Sequence, residues 1–308
     1  MPQPRIALVT TAHLPEGTVD RDLPLLRDAV AAAGAEAAVV HWDDTDVEWA
    51  GFDLALIRST WDYTWRTGEF LAWADRCGAA TTLLNPPAVV RWNSDKRYLG
   101  ELASLGVPAV ATRYLPPGGG TGGLPADHEF VVKPAAGAGA RYAARYRPGQ
   151  HEQARAHVAR MHDEGITAMV QPYMPRIDTT GERALVFLGG RFLHAIAKNA
   201  VLSPDTRYDQ RKVAHPGVRP WTPTEAELAA AERALAAVPG RPELLYARVD
   251  LVDAEDGTPR VMELELIEPN LFLKDHPDSL PEVAGAIVRA AGRAAGPAAG
   301  RAAGPAAG

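Results

Sequence analysis

The sequence predicts an α/β protein in two parts: a parallel-sheet lobe over residues 1–115, then an α+β region of antiparallel character over residues 116–290. Three observations carry that reading. In the first part, short apolar runs of β character alternate with runs of helical periodicity, the pattern of a parallel sheet flanked by helices. At 116–123 the chain reads Pro-Pro-Gly-Gly-Gly-Thr-Gly-Gly, a composition that cannot pack and marks a surface loop or hinge. In the second part, Gly189-Gly190 and Asp256-Gly257 each separate two apolar-rich runs, which signals hairpins.

Taken in chain order, the first strands are expected at 6–10, 37–40, 54–58 and 82–84. Leu23, Leu26, Val30 and Ala33 recur at helical spacing between the first two, and Gly34 stands where that helix would stop. Residues 73–80 read as the end of a helix that holds the single cysteine, Cys77, as a buried and unreactive side chain. Ser94 offers an N-cap to a helix over 95–105, closed by Gly106 and Pro108. A strand follows near 111–115. Beyond the glycine-rich break, strands are expected at 130–133, 142–146 and 168–171, with a helix over 150–163 between the second and third. The hairpin arms are 184–188 with 192–196, and 245–252 with 260–267. Residues 290–308 repeat Ala-Ala-Gly-Arg and Ala-Ala-Gly-Pro, and 291–308 are expected to be a disordered tail without chemistry.

Composition narrows the function. With 308 residues, 46% hydrophobic and 23% charged, the chain is expected to be soluble with a substantial core. A formal net charge of -6 and no long run of Lys or Arg give nucleic acid and anionic lipid nothing to bind. No segment reaches the ~18 apolar residues of a membrane span, and the N-terminus runs into a strand without a secretion signal. A lone cysteine forms no internal disulfide, so the cytoplasm is the expected location. The turn after the first strand, Thr10-Thr11-Ala12-His13-Leu14-Pro15-Glu16, lacks the G-x-G-x-x-G of dinucleotide-binding domains and argues against nicotinamide. A small-molecule partner is expected, and a homo-oligomer is compatible with the sequence.

Four segments carry chemistry. In Val132-Lys133-Pro134-Ala135-Ala136-Gly137-Ala138-Gly139-Ala140-Arg141, a lysine ends a strand and leads into a Gly/Ala loop whose backbone N–H groups polyphosphate can approach. A plain strand and turn with a snorkelling lysine explains that segment equally well. Arg248-Val249-Asp250 and Glu263-Leu264-Glu265 lie on opposite hairpin arms; alternation puts Arg248 with Asp250, and Glu263 with Glu265, on one face. A two-residue turn at Asp256-Gly257 would pair 250 with 263 and 248 with 265. Carboxylates so close need compensation, and Mg²⁺, which prefers oxygen ligands, supplies it better than Arg248 alone. Gln171-Pro172-Tyr173-Met174-Pro175 breaks a strand at two prolines and exposes backbone beside apolar walls suited to a purine. Arg58-Ser59-Thr60-Trp61-Asp62-Tyr63 follows the third strand, at the carboxyl end where open α/β sheets bind substrates; Arg58 there could clamp a carboxylate bidentately.

In order and spacing these segments resemble the ATP-grasp superfamily, in particular its glutathione-synthetase-like branch, over about residues 91–272. The resemblance implies an ATP-grasp domain over 116–290, with a small lobe of about 116–175 and a large lobe of about 176–290, behind the N-terminal parallel-sheet lobe. It implies ATP and Mg²⁺ as cofactors. Lys96, on a helix, and Lys133 would hold the nucleotide phosphates with Gly137, Gly139 and Arg141, the last standing in where the family's loop commonly has Ser. Gln171, Tyr173 and Met174 would hold adenine. An acidic residue, Asp178 or Glu182, then Arg183 and Lys198 continue the family pattern toward the γ-phosphate. Arg248 would steady the transferring phosphate and Asp250 would be a metal carboxylate.

The family's E-x-N metal motif falls on Glu263 and Glu265, with Glu in place of Asn, while Glu268-Pro269-Asn270 offers a second E-x-N. Arg58, Ser59, Thr60, Glu268 and Asn270 would face the substrate. The implied reaction is phosphorylation of a small-molecule carboxylate followed by amine attack. The segments R-S-T-W-D-Y and E-L-E-L-I-E-P are further similar to a group of ATP-dependent cyclo-ligases that close O-ureido-D-serine to D-cycloserine. An intermolecular carboxylate–amine ligase would keep every one of these motifs, and a non-catalytic nucleotide-binding protein would keep the lysines alone.

Overall fold

The computed structural model describes residues 3–14, 19–209 and 217–294. The first lobe runs β1 (Arg5–Thr10), α1 (Asp22–Ala32), β2 (Glu36–His41), β3 (Leu54–Ile57), α2 (Thr67–Ala80) and β4 (Thr82–Leu84), with a 3-10 turn at Trp61–Trp65. Its strands form a parallel sheet in the order β2-β1-β3-β4. The central strands β1 and β3 are apolar almost throughout, because both faces are covered. Phe70, Trp73 and Cys77 of α2 pack with Trp42 and Tyr63 on one face. Burial pushes the Cys77 thiol up to about 12, so it stays protonated and inert, as expected for a core cysteine.

The middle of the chain adds α3 (Pro87–Asn93), α4 (Tyr98–Ser104), β5 (Arg113–Leu115), β6 (Phe130–Pro134), β7 (Ala144–Tyr146), α5 (His151–Asp163) and β8 (Ala168–Pro172). One helix was expected over 95–105, capped by Ser94. Instead Ser94 ends α3 and its hydroxyl donates to the Arg91 carbonyl at 2.9 Å, while Asp95 accepts from the Arg97 N–H. Lys96 therefore lies on a turn between two short helices. Strands β5 to β8 form an antiparallel sheet in the order β5-β8-β6-β7.

The last part comprises α6 (Ile177–Thr180), β9 (Glu182–Leu188), β10 (Arg191–Lys198), β11 (Val218–Trp221), α7 (Glu225–Ala236), β12 (Tyr246–Asp253), β13 (Pro259–Glu265) and α8 (Leu280–Ala294). Its antiparallel sheet has the order β11-β10-β9-β12-β13. Leu188 faces Arg191 across Gly189-Gly190, both at positive φ, as a two-residue hairpin of this type requires. The second hairpin turns differently from the expected two-residue loop. Ala254 pairs with Thr258, which leaves three loop residues with Gly257 at φ +82°, and a bulge between Asp250 and Leu251 restores the register. Arg248 consequently still faces Glu265, and Asp250 faces Glu263.

The outer edge of β13 is not left open. The Val110 N–H donates to the Val261 carbonyl and the Val261 N–H to the Pro108 carbonyl, the Tyr98 hydroxyl bonds both N–H and C=O of Leu264, and the Asn93 amide bridges Leu264 and Leu266. Asn85 does the same for Leu245, Tyr246 and Leu266. Such side-chain pairing protects an edge strand and fixes the turn between α3 and α4 against it.

The Ala/Gly repeat does not fray where expected. Ala290 and Ala291 are buried in the last turns of α8, against the core that includes Leu26 and Val30 of α1, and the helix continues to Ala294; residues 295–308 lie outside the described ones. Among the described residues no helix is long and apolar enough to cross a membrane.

Candidate active site

Alternation along β9, β10, β12 and β13 brings Glu182, Lys198, Arg248, Asp250, Glu263 and Glu265 to one face of the sheet. Cross-strand pairing sets them side by side: Lys198 opposite Glu182, Arg248 opposite Glu265, and Asp250 opposite Glu263. Arg248 donates from Nε and Nη2 to the two oxygens of Asp250, each at 2.8 Å, also pairs with Glu265, and reaches the Asn270 carbonyl from Nη1 at 3.2 Å. Lys198 Nζ donates to Asp250 Oδ2 at 2.8 Å and pairs with Glu182.

Lys96, held on its turn by the bonds to β13, sends Nζ to Glu263 Oε1 at 2.9 Å and to the Gly137 carbonyl at 2.5 Å. Its backbone N–H donates to the Ala135 carbonyl at 2.8 Å, so the Gly/Ala loop is tied to the sheet face at two points. Gly137 is needed there: a Cβ would meet Pro134 Cγ at 2.8 Å. Gly139 has φ +62°, the left-handed region that glycine adopts without strain. Lys133, on β6, forms no ion pair among the described residues.

The electrostatics of this face are unbalanced. Burial would raise Asp250, but Arg248 and Lys198 overcome it and hold the carboxyl well below its usual range. Burial would lower Lys96, and Glu263 more than offsets it. Lys133 is lowered by burial, which Glu263 only partly opposes and neighbouring Lys96 reinforces. Burial wins for three carboxyls despite nearby cations, pushing Glu182 and Glu268 to about 7 and Glu265 to about 8. Glu268 is 9% exposed and makes no bond to another side chain among the described residues.

Beside this face lies the carboxyl end of β3. Arg58 is buried with its ring-side contact on Tyr246 and a 3.0 Å bond from Nη2 to the Pro269 carbonyl, while its Nε and Nη1 have no partner among the described residues. The Thr60 hydroxyl is also buried without a partner among the described residues. Ser59 is engaged with the Thr10 hydroxyl at 2.8 Å. The Asn270 side chain accepts from the Phe272 N–H at 2.7 Å and shapes the loop rather than pointing a free acceptor outward. Unsatisfied buried donors call for an explanation, and a ligand carrying oxygen acceptors provides one.

Several expected residues are placed elsewhere. Arg183 lies on the opposite face of β9, fully buried, where Glu227 accepts from Nε at 2.7 Å, Thr180 and Gly181 from Nη1, and Asp253 from Nη2. Its one-residue offset from Glu182 turns it away from Lys198, so the structure does not bring it to the cluster. Asp178 accepts from the Tyr173 hydroxyl at 2.5 Å and pairs with Arg145, whose guanidinium covers the Tyr173 ring at 3.4 Å. Gln171 donates its side-chain amide to Thr112 at 2.8 Å, and the Met174 carbonyl accepts from Ile177, so this segment offers shape and backbone more than free side chains. Arg141 stacks on Trp65, and Trp65 was not foreseen as part of the site. Asn85, Asn93 and Tyr98 were likewise missed; a buried Asn or Tyr on a helix end leaves no spacing signal.

Among the described residues, no group of three or more His, Cys, Asp or Glu side chains could hold a metal ion by itself. Asp250, expected as a metal carboxylate, accepts from Arg248 and Lys198 on its two oxygens. Glu263 and Glu265 each pair through one oxygen only. Hard donors on one face, beside cations suited to phosphate, fit Mg²⁺ shared with a polyphosphate, which commonly takes only one or two protein carboxylates.

Comparison with known proteins adds to this geometry. The family described as the N-terminal domain of D-cycloserine synthetase DcsG matches residues 6–85. The chain is 37% identical over 295 residues to the cycloserine biosynthesis protein DcsG of Streptomyces lavendulae, covering 92% of this chain and 97% of that protein. A crystal structure of D-cycloserine synthetase DcsG superposes with a TM-score of 0.85 at 36% identity, over 93% of this chain and 99% of that one. A RimK domain ATP-grasp protein from Sphaerobacter thermophilus shares the fold at 22% identity, with a TM-score of 0.65 and coverage of 93% and 99%.

Proposed function

The chain belongs to the family of D-cycloserine synthetase DcsG and is an ATP-dependent ligase of the ATP-grasp type, and from that premise we propose that it closes O-ureido-D-serine to D-cycloserine. The carboxylate oxygen of the substrate attacks the γ-phosphorus of ATP, the bond to the bridging oxygen breaks, and ADP leaves. The ureido nitrogen next to oxygen then attacks the acyl phosphate, loses its proton and expels phosphate, closing the ring. D-cycloserine lacks the carbamoyl group, so water must cleave that group, with release of ammonia and carbon dioxide. Because nucleophile and electrophile belong to one molecule, their effective concentration is high without a second substrate site.

The observation that carries the reading is the set of cations gathered around one face of the five-stranded sheet, two on its strands and two from the segments beside it. Lys133, without an ion pair among the described residues, and Lys96 with the Gly137 loop would receive the β- and γ-phosphates. Lys198 and Arg248, held by Asp250 at 2.8 Å, would meet charge on the transferring phosphoryl group. Positioning and electrostatics of this kind supply most of the catalysis in phosphoryl transfer. Glu263 and Glu265 would hold Mg²⁺, which would supply positive charge to offset that of the polyphosphate. Arg58 and Thr60, with their unpartnered donors, would orient the substrate's oxygen atoms. The cytoplasm remains the location we infer for such a biosynthetic reaction.

The test is to incubate the protein with MgATP and O-ureido-D-serine and to follow ADP, phosphate and D-cycloserine together. Stoichiometric formation of all three supports the reading. ADP formed only when an acid and a separate amine are both present makes the protein an intermolecular ligase.

A further inference from the structure

The site leaves one contact unexplained. Arg141, at the end of the Gly/Ala loop, has its guanidinium carbon 4.5 Å from the ring of Trp65 and 4.7 Å from that of Tyr142, and it makes no ion pair or side-chain hydrogen bond among the described residues. Trp65 belongs to the other lobe, where it ends the 3-10 turn that follows Arg58, Ser59 and Thr60. It is 47% exposed, unusual for so large an apolar ring, and its contact with Arg141 crosses from the substrate-side segment to the phosphate-side loop.

The loop itself needs such a support. Its first half is fixed by Lys96 through Ala135 and Gly137, but Gly139, Ala140 and Tyr142 all take positive φ, a conformation that costs an alanine or a tyrosine energy. A guanidinium stacked on an indole keeps its N–H donors at the rim of its plane, free to bind phosphate oxygens bidentately. A lysine in that place would have neither the plane nor the fork.

We propose that Trp65 is a positioning residue for phosphate binding: its indole docks the Gly/Ala loop onto the N-terminal lobe and aims the guanidinium edge of Arg141 at the nucleotide polyphosphate. This rests on the ATP-dependent reading above. It places the phosphate loop in contact with the segment that would hold the substrate, so the loop closes against a surface whose shape depends on the substrate side.

The experiment is calorimetric titration of the full chain with the non-hydrolysable analogue AMP-PNP plus Mg²⁺, and separately with adenosine, for the unaltered protein, Trp65→Ala, Trp65→Phe, Arg141→Ala and the Trp65→Ala/Arg141→Ala double variant. Loss of an exposed cation–π contact corresponds to a two- to fivefold effect, on the order of 0.5–1 kcal/mol. Trp65→Ala is therefore expected to weaken AMP-PNP about threefold while leaving adenosine unchanged, and Trp65→Phe to recover most of the loss. Arg141→Ala is expected to be weaker still, with the double variant no worse than Arg141→Ala alone. An unchanged AMP-PNP affinity in Trp65→Ala, additive losses in the double variant, or equal losses for adenosine would each overturn the role. Should the unaltered protein bind adenosine but not AMP-PNP, the positioning role fails; should it bind neither, the nucleotide-dependent reading fails with it.

Discussion

The two faces of the five-stranded sheet carry buried ion networks built from the same residue types, and they behave oppositely. On one face Arg183 is enclosed by Glu227, Asp253, Thr180 and Gly181, with every guanidinium nitrogen engaged. Burial would raise Glu227, but bonds from Thr224, Arg183 and Trp221 hold it below its usual value. On the other face Arg248 and Lys198 serve Asp250, Glu182 and Glu265, and burial leaves Glu182 near 7 and Glu265 near 8. The first network is complete in itself. The second has more carboxylate than its cations can stabilise and, beside it, a lysine with no ion-pair partner among the described residues, which is what a site awaiting a divalent cation and a polyphosphate requires.

The largest effect expected from this contrast is on turnover. Arg248→Ala should lower kcat by about a thousandfold, the usual scale for removing a group that stabilises a transferring phosphoryl, measured as ADP release under saturating ATP. Arg183→Met should do the reverse, costing about 3–5 kcal/mol of stability through the stranded charges of Glu227 and Asp253 while kcat at low temperature stays within severalfold. Urea unfolding of both variants reads the second quantity. Equal losses of kcat would erase the distinction between the faces.

The pH dependence sharpens it. Glu265 has a folded pKa raised to about 8, so its proton is held more tightly in the folded chain than in the unfolded one. Its contribution to stability is then fully present below its ordinary value of 4.5 and is lost as pH rises through about 8. A divalent cation needs the ionised form, so its binding must release that proton. Titration of MgADP at pH 7 in buffers of different ionisation enthalpy should show release of on the order of one proton, vanishing above pH 9, and Glu265→Gln should remove it. Arg183→Met should leave the release unchanged.

Much of this was legible in the sequence because strand parity is a strict rule. Arg248, Asp250, Glu263 and Glu265 were assigned to one face from spacing alone, and their pairing held although the turn has three residues and a bulge instead of two residues. The same rule, applied to β9, would have separated Arg183 from Glu182; family order, which ignores which way a side chain points, put both in the site. Lys96 was found by its place in that order, but the single helix expected over 95–105 is a turn at Lys96 followed by the shorter α4, since Ser94 and Asp95 bond locally. What could not be read were contacts made only by tertiary approach: Trp65 against Arg141, the Asn85 and Asn93 amides on the edge of β13, and the burial of Ala290 and Ala291. The repeat alone gives no amphipathic signal, but its first residues continue α8, whose Val283, Ala284 and Ile287 are buried at helical spacing and join the core that includes α1.

The smallest effect belongs to the helix beside the complete network. Glu227 sits three residues after Thr224 in a capping box: the Thr224 hydroxyl accepts from the Glu227 N–H at 3.2 Å, and the Glu227 carboxylate accepts from the Thr224 N–H at 2.8 Å. The same carboxylate receives Arg183 Nε at 2.7 Å and the Trp221 indole at 3.2 Å. Thr224→Ala removes the cap's side-chain acceptor and one hydroxyl donor to Glu227 but leaves the ion pair, so stability should fall by about 1 kcal/mol. Because the Thr224 and Glu227 bonds run to Arg183 and Trp221 and not to the phosphate-side cations, kcat and the KM for ATP should both stay unchanged. A rise in KM for ATP with Thr224→Ala would mean that strain in α7 passes through Arg183 and β9 to Glu182 and Lys198, and the two faces would then have to be treated as one network.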